Sequence, residues 1–286
     1  MQLTDPSSSP QGTSYTILNT ERLTNRTTAT NYAGDFATLV PVSSSSPRGP
    51  FVHQPTWDRP EHYILTKTHC GGYCEQCTPK QFVLSYEQFE KSCRTGHSVV
   101  NGVKKTNVVY RPGLVRKAIH LIRDPFDNLV ARMHLSVKHQ KVQGLDQHHS
   151  REGFLAWCEL VDAPSVNTSF HRDVLQLMQD VPCASDWFRY VQWHNHAAAL
   201  IQREKLDSMV VYYESYSTQY EETVQSILDF VEQPAVQSPL HFQKGKTYHN
   251  LYTPEEAASA LRLAKRLATP ECWELIRHYF DGWGSS

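Results

Sequence analysis

Three short apolar runs, each breaking into polar side chains and each followed by helical sequence, set the strongest limit on what this chain can fold into. Tyr63-Ile64-Leu65-Thr66 gives way to Lys67-Thr68-His69. Ala118 to Ile122 gives way to Arg123-Asp124-Pro125, and Met209 to Tyr213 ends at Glu214. Short buried strands alternating with helices predict an α/β fold with a parallel sheet covered on both faces. In open sheets of this kind ligands sit in the crevice outside the carboxyl ends of the strands, so Lys67, Thr68, His69 and Arg123 fall where chemistry is done.

The turn after Ile122 is the most explicit local signal. Asp124 suits an N-cap and Pro125 the first helical position, with Phe126, Leu129, Val130 and Met133 following at helical spacing. That leaves Arg123 at the strand end, facing a ligand or paired with Asp124 as a structural ion pair. A second clear helix start is Thr253-Pro254-Glu255-Glu256, a capping box that leads into Ala257 to Leu267. Helices are also predicted over Ser85–Glu90, Gly153–Val161, Val174–Asp180, Ser185–Lys205 and around Val224–Val231, and a strand over Asn107–Tyr110. His194 and His196, two apart on one helix, do not share a face, so packing or surface placement is expected rather than a metal pair. Gly12-Thr13-Ser14-Tyr15 runs into Thr16–Leu23, where the apolar spacing permits a short helix; a glycine-hydroxyl turn at a helix start makes an anion nest. Gln243-Lys244-Gly245-Lys246 is a basic loop. With no repeat and no internal boundary, residues 1–286 form a single domain with a flexible start over 1–8 and an irregular excursion over 24–60.

Net charge excludes some partners. At -1 formally, the chain has no global pull toward nucleic acid or anionic membrane, so anion binding must come from locally placed cations. No apolar run reaches the roughly 18 residues of a membrane span, and Met1 is followed by polar residues. Seven cysteines allow one to three bridges with one left over. Cys70, Cys74 and Cys77 are spaced C-x3-C-x2-C, which suits an iron-sulfur cluster, a zinc site completed by Cys93 or a histidine, or a local disulfide. Two sequons, Asn25-Arg26-Thr27 and Asn167-Thr168-Ser169, favour a secretory compartment over the cytoplasm.

Taken together in chain order, these pieces resemble the P-loop sulfotransferase family. Ser9-Pro10-Gln11-Gly12-Thr13-Ser14-Tyr15 is similar to its phosphosulfate loop PKSGTTW, and Lys67-Thr68-His69 to its KTH. Arg123-Asp124-Pro125-Phe126-Asp127 resembles its RxPxD turn, and Tyr213-Glu214-Ser215 its YED strand end. Gln243-Lys244-Gly245 with Thr253-Pro254-Glu255 resembles its RKG loop and following helix start.

The resemblance implies a three-layer P-loop-type fold with a central parallel sheet flanked by helices. It also implies transfer of a sulfuryl group from 3'-phosphoadenosine 5'-phosphosulfate (PAPS) to an acceptor hydroxyl of a glycan, a peptide tyrosine or a small alcohol, without metal. His69 takes the position of the general base and Lys67 that of a charge stabiliser. Gly12, Thr13, Ser14 and Tyr15 would hold the 5'-phosphosulfate, Arg123 the 3'-phosphate, Lys244 and Gly245 would close over that phosphate, and Tyr213 would lie near the adenine. In such a protein the three clustered cysteines read as loop tethers in a Golgi lumen rather than as metal ligands.

Three positions depart from the family pattern: Pro10 in place of the loop lysine, Ala131 in place of a phosphate-binding serine, and Gln243 in place of the late arginine. They leave open a degenerate nucleotide- or glycan-binding domain. Met1–Ser8 lack the apolar strand that should precede the loop, which points to an N-terminally incomplete chain. The C-x3-C-x2-C spacing also matches radical enzymes that use S-adenosylmethionine, but Gln76 stands where an aromatic residue is usual there, and no βα repeat long enough for a barrel is present.

Overall fold

The computed structural model describes residues 16–22, 63–71, 77–100, 103–109, 115–138, 150–163, 170–232, 234–235, 242 and 247–283. In chain order its elements are β1 (Thr16–Arg22), β2 (Tyr63–Thr68), α1 (Pro79–Phe82), α2 (Tyr86–Cys93), β3 (Thr95–Val100), β4 (Val103–Val109), β5 (Val115–Ile122), α3 (Pro125–Lys138) and α4 (Arg151–Asp162). There follow α5 (Arg172–Met178), α6 (Ala184–Arg203), β6 (Asp207–Tyr212), α7 (Ser215–Thr218), α8 (Tyr220–Phe230), α9 (Pro254–Leu267) and α10 (Pro270–Ile276). Short 3-10 turns cover His249–Leu251 and Arg277–Phe280.

Four strands form one sheet in the order β2-β1-β5-β6, and β3 and β4 make a separate antiparallel pair. β5 and β6 run parallel, with Ile122 opposite Tyr212. β1 lies antiparallel to both β2 and β5, so β2, β5 and β6 share one direction while the strand between β2 and β5 opposes them. The sheet is therefore mixed where a wholly parallel one was expected. The short helix expected over Thr16–Leu23 is also corrected: Thr16–Arg22 is a strand, its backbone groups taken up by ladders on both sides. Local spacing in TILNTER tolerates either state, and pairing with two neighbours decides for the strand.

The register keeps the carboxyl ends together. Thr68 is opposite Ile17, Ile17 is opposite His120, and Thr16 is opposite Leu121. Residues just beyond β2, β5 and β6 thus emerge at one edge, with β2 and β5 two inter-strand spacings apart, about 10 Å.

Helices bury their apolar sides on this sheet. The larger core joins Ala118 and Ile122 of β5 to Phe126, Leu129 and Met133 of α3, Trp157 of α4, Trp187 and Tyr190 of α6, and Leu263 of α9. Ile119 and Val211 pack instead with Ile227 and Val231 around α8, because alternate β5 side chains face opposite ways. Central to the larger core is α6, which touches α2, α3, α4, α9 and α10. Its one buried carboxylate, Asp186, is held between Arg132 at 2.9 Å and Arg189 at 3.1 Å. Removing either arginine would leave buried charge short of a partner, a loss of about 3–5 kcal/mol.

Two disulfides are described, Cys70–Cys93 and Cys158–Cys183, and Cys77 is disulfide-bonded as well. Cys272 is free and buried. Oxidised, Cys70, Cys77 and Cys93 offer no thiolate to iron or zinc, which removes the ligands that a metal reading of this segment needs.

Candidate active site

The edge is built from the ends of β2, β5 and β6. β5 stops at Ile122 because Asp124 starts a helix. Its Oδ1 accepts from the backbone N–H of Phe126 at 2.8 Å and of Asp127 at 3.3 Å, satisfying two donors that α3 would otherwise leave open. Its Oδ2 meets His249 Nε2 at 2.8 Å. Asp124 is therefore occupied by the helix and His249, and Arg123 turns elsewhere. The guanidinium lies over the Tyr213 ring at 4.7 Å, and the backbone carbonyl accepts from Tyr190 OH at 2.8 Å. Arg123 Nε is buried without a hydrogen-bond acceptor. A rigid planar cation with an unfilled donor at a strand end fits a phosphate or sulfate oxygen.

Glu214 binds the same turn from β6. One carboxylate oxygen accepts from Asp124 N at 2.9 Å and the other from Tyr279 OH at 2.7 Å, so the C-terminal 3-10 turn braces the β5–α3 junction. Burial and the Glu214 charge together push the Tyr279 phenol far up, which keeps it a donor. Trp283 stacks on Phe126 at 5.3 Å and lies 5.5 Å from His249. Tyr213 N donates to Ile122 O at 2.7 Å, continuing the ladder one residue past β6. Tyr213, Tyr216 and Tyr220 surround Phe242, with ring centroids 5.5, 5.5 and 6.1 Å away.

Asp124, Asp127 and His249 can bring one ligand atom each within 4.8 Å of one another. Helix capping and hydrogen bonds account for all three. Asp127 accepts from Tyr248 N at 2.6 Å, and burial followed by the Asp124 charge raises its carboxyl to about 6. The hydrogen bond to Asp124 is the main cause that raises His249 above the ordinary histidine value.

On the β2 side, Thr68 ends the strand and His69 follows, half-buried, with its carbonyl accepting from Trp193 Nε1 at 2.9 Å. Cys70 and Gly71 both take left-handed backbone, φ 51 and 76. Cys70 N donates to Thr68 Oγ1 at 3.2 Å.

Of the residues expected from sequence, His69, Arg123 and Tyr213 all emerge at the one edge, and Lys67 lies on β2 two residues before His69. Gly12, Thr13, Ser14, Tyr15, Lys244 and Gly245 lie outside the described residues, as do Pro10 and Gln243. Ala131 sits on α3. His194 is wholly buried and His196 Nε2 donates to the Leu84 carbonyl oxygen at 2.9 Å, which is packing as expected. Sequence reading missed Trp193, His249 and the double role of Glu214. The Tyr-Glu pair at the end of β6 was a signal for Glu214, whereas Trp193 and His249 carry none.

Arg123, Tyr213 and His69 lie outside the carboxyl ends of the strands, where α/β sheets of this class bind their ligands. A family model described as Sulfotransferase domain matches residues 114–257, just over half of the chain, and the chain belongs to that family. The match takes in Arg123, Ala131, Tyr213, Lys244, Gly245 and the Thr253–Glu255 helix start; Lys67 and His69 lie before it. No curated protein and no solved structure matches significantly.

Proposed function

We propose that this protein is a PAPS-dependent sulfotransferase in which His69 is the general base. The observation that carries the reading is the shared edge: His69 after β2, Arg123 after β5 and Tyr213 after β6, in a chain whose family performs sulfotransfer. The acceptor hydroxyl gives its proton to the His69 imidazole as its oxygen bonds to sulfur, and the sulfur–oxygen bond to the donor phosphate breaks. Lys67 offsets negative charge on the transferring group, which matters more here because Pro10 supplies no cation. Arg123 holds the 3'-phosphate. Its orphan Nε is the residue-level fit to that group, and the Tyr213 ring beneath fixes the guanidinium plane. Tyr213 borders the adenine, the turn at Gly12, Thr13, Ser14 and Tyr15 holds the 5'-phosphosulfate, and Lys244 and Gly245 close the site. The family's three-layer arrangement with helices on both faces is the setting we infer.

Compartment follows from redox chemistry. Disulfides at Cys70–Cys93 and Cys158–Cys183 persist in oxidising lumens, and with the two sequons they support a glycoprotein of the Golgi lumen. Among the described residues no helix is long and apolar enough to cross a membrane.

His69→Ala is expected to abolish transfer of labelled sulfate to glycans, tyrosine peptides or small alcohols while 3'-phosphoadenosine 5'-phosphate (PAP) still raises the melting temperature. Arg123→Ala should weaken that stabilisation. Equal loss of PAP binding in both variants contradicts the roles assigned, and a wild-type protein that binds PAP but transfers to no acceptor favours the degenerate binder.

A further inference from the structure

β2 ends at Thr68, so the backbone of His69 lies just outside the ladder, where sheet pairing no longer fixes it. Downstream, Cys70 is fixed through its side chain to Cys93 of α2, both cysteines being buried. Gly71 is packed so closely that a Cβ there would meet Ser92 Oγ at 3.1 Å. The peptide between His69 and Cys70 is held from two sides: its N–H donates to Thr68 Oγ1 at 3.2 Å, and its carbonyl oxygen accepts from the indole N–H of Trp193 at 2.9 Å. The first bond is local to the turn, whereas the second ties the peptide to α6.

Trp193 is well placed to do so. It is 3% exposed, on α6, with its ring edge-on to Phe89 of α2 at 5.5 Å and 5.9 Å from His120 of β5. The indole is thus wedged between a helix and the sheet that carries the site. Nor does folding of this interior require every indole N–H to find an acceptor. Trp157 and Trp187 are equally buried, and their Nε1 atoms have none. The bond from Trp193 is directed at the carbonyl of the proposed base itself.

We propose that Trp193 is a positioning residue for sulfotransfer, holding the His69 peptide so that the imidazole meets the acceptor hydroxyl at the strand edge. The inference rests on His69 being the base. It predicts that losing the N–H alone, with the ring kept, misaligns the base without touching donor binding.

The test uses the full chain with PAP bound and two replacements of Trp193. Trp193→Phe removes the donor, and benzothienylalanine at an amber codon removes it while keeping the bicyclic ring, which covers the case where phenylalanine destabilises the core. In both, the His69 imidazole signal in heteronuclear spectra should broaden or split as the ring samples several orientations, while PAP affinity stays within about twofold. Transfer to an acceptor panel of glycan, tyrosine peptide and naphthol should lose about tenfold in kcat with KM little changed, as expected for misalignment of a reacting group. A sharp, unshifted His69 signal, or kcat within about twofold of wild type in both variants, overturns the role of Trp193. If His69→Ala retains transfer, the base assignment fails separately, whatever the Trp193 variants do.

Discussion

Asp124 offers the sharpest quantitative test, because one carboxylate does two separable jobs. Asp124→Ala removes the cap for Phe126 N and Asp127 N and the partner of His249. The cap contributes about 1 kcal/mol. The ion pair adds about 0.5–1 kcal/mol, screened because the His249 side chain is 38% exposed although Asp124 itself is buried. A total near 2 kcal/mol corresponds to a fall in Tm of about 4–8 °C for a domain of this size. Asp124→Asn keeps a capping oxygen and loses only the charge, so it should lower Tm by about 1–3 °C.

The pH dependence separates the jobs further. His249 has a folded pKa raised above its unfolded value, so the stability it contributes is complete below about 6.5 and is lost as pH rises through the folded value. Asp127, at about 6, has mostly ionised above that window's lower end and contributes little to the slope from pH 7 to 9. The gap between wild type and Asp124→Asn, read by thermal unfolding, should therefore be larger at pH 7 than at pH 9. The gap for Asp124→Ala should persist at both. Equal losses for the two variants, or a gap for Asp124→Asn that widens with pH, would refute the division into cap and charge partner.

Two further outcomes follow from the core. His120 Nε2 and His194 Nδ1 lie 2.7 Å apart, and burial lowers both, His120 to about 4. Their neutral forms favour the fold above the ordinary value of about 6.5, and that stability is lost as pH falls through the depressed values. His194→Phe should flatten the loss of stability between pH 6.5 and 4 in urea melts, and an unchanged slope would count against the pair as its origin. Replacing both Cys158 and Cys183 by Ala opens a loop of 25 residues and should cost about 3 kcal/mol, read as a lower urea midpoint with an m that rises as the unfolded chain expands. A loss below about 1 kcal/mol would show that the unfolded chain is already compact there.

What the sequence determined by itself is local. Asp124-Pro125 starts α3, Thr253-Pro254 with Glu256 starts α9, and Ser85 caps α2, because caps are satisfied within four residues of themselves. The end of β5 at Ile122 was legible for the same reason, since apolar runs and the polar residues that stop them are neighbours in the chain; the runs read as ending at Thr66 and Tyr213 end in the fold at Thr68 and Tyr212. The motif order that suggested sulfotransfer is likewise written along the chain and needs no coordinates.

Tertiary structure decided whatever depends on partners far away in sequence. Thr16–Leu23 reads as a short helix until β2 and β5 bind the backbone of Thr16–Arg22 on both sides, and that pairing places one reversed strand in a sheet expected to be parallel. Arg123 could have paired with Asp124. Only the folded chain shows the aspartate spent on a helix start and on His249, and the arginine laid across Tyr213. His120 and Trp193 look like ordinary core residues in sequence, and the hydrogen bond from Trp193 to His69 spans 124 residues. Local chemistry placed the reactive groups at strand ends, but long-range packing chose which of their possible partners each one keeps.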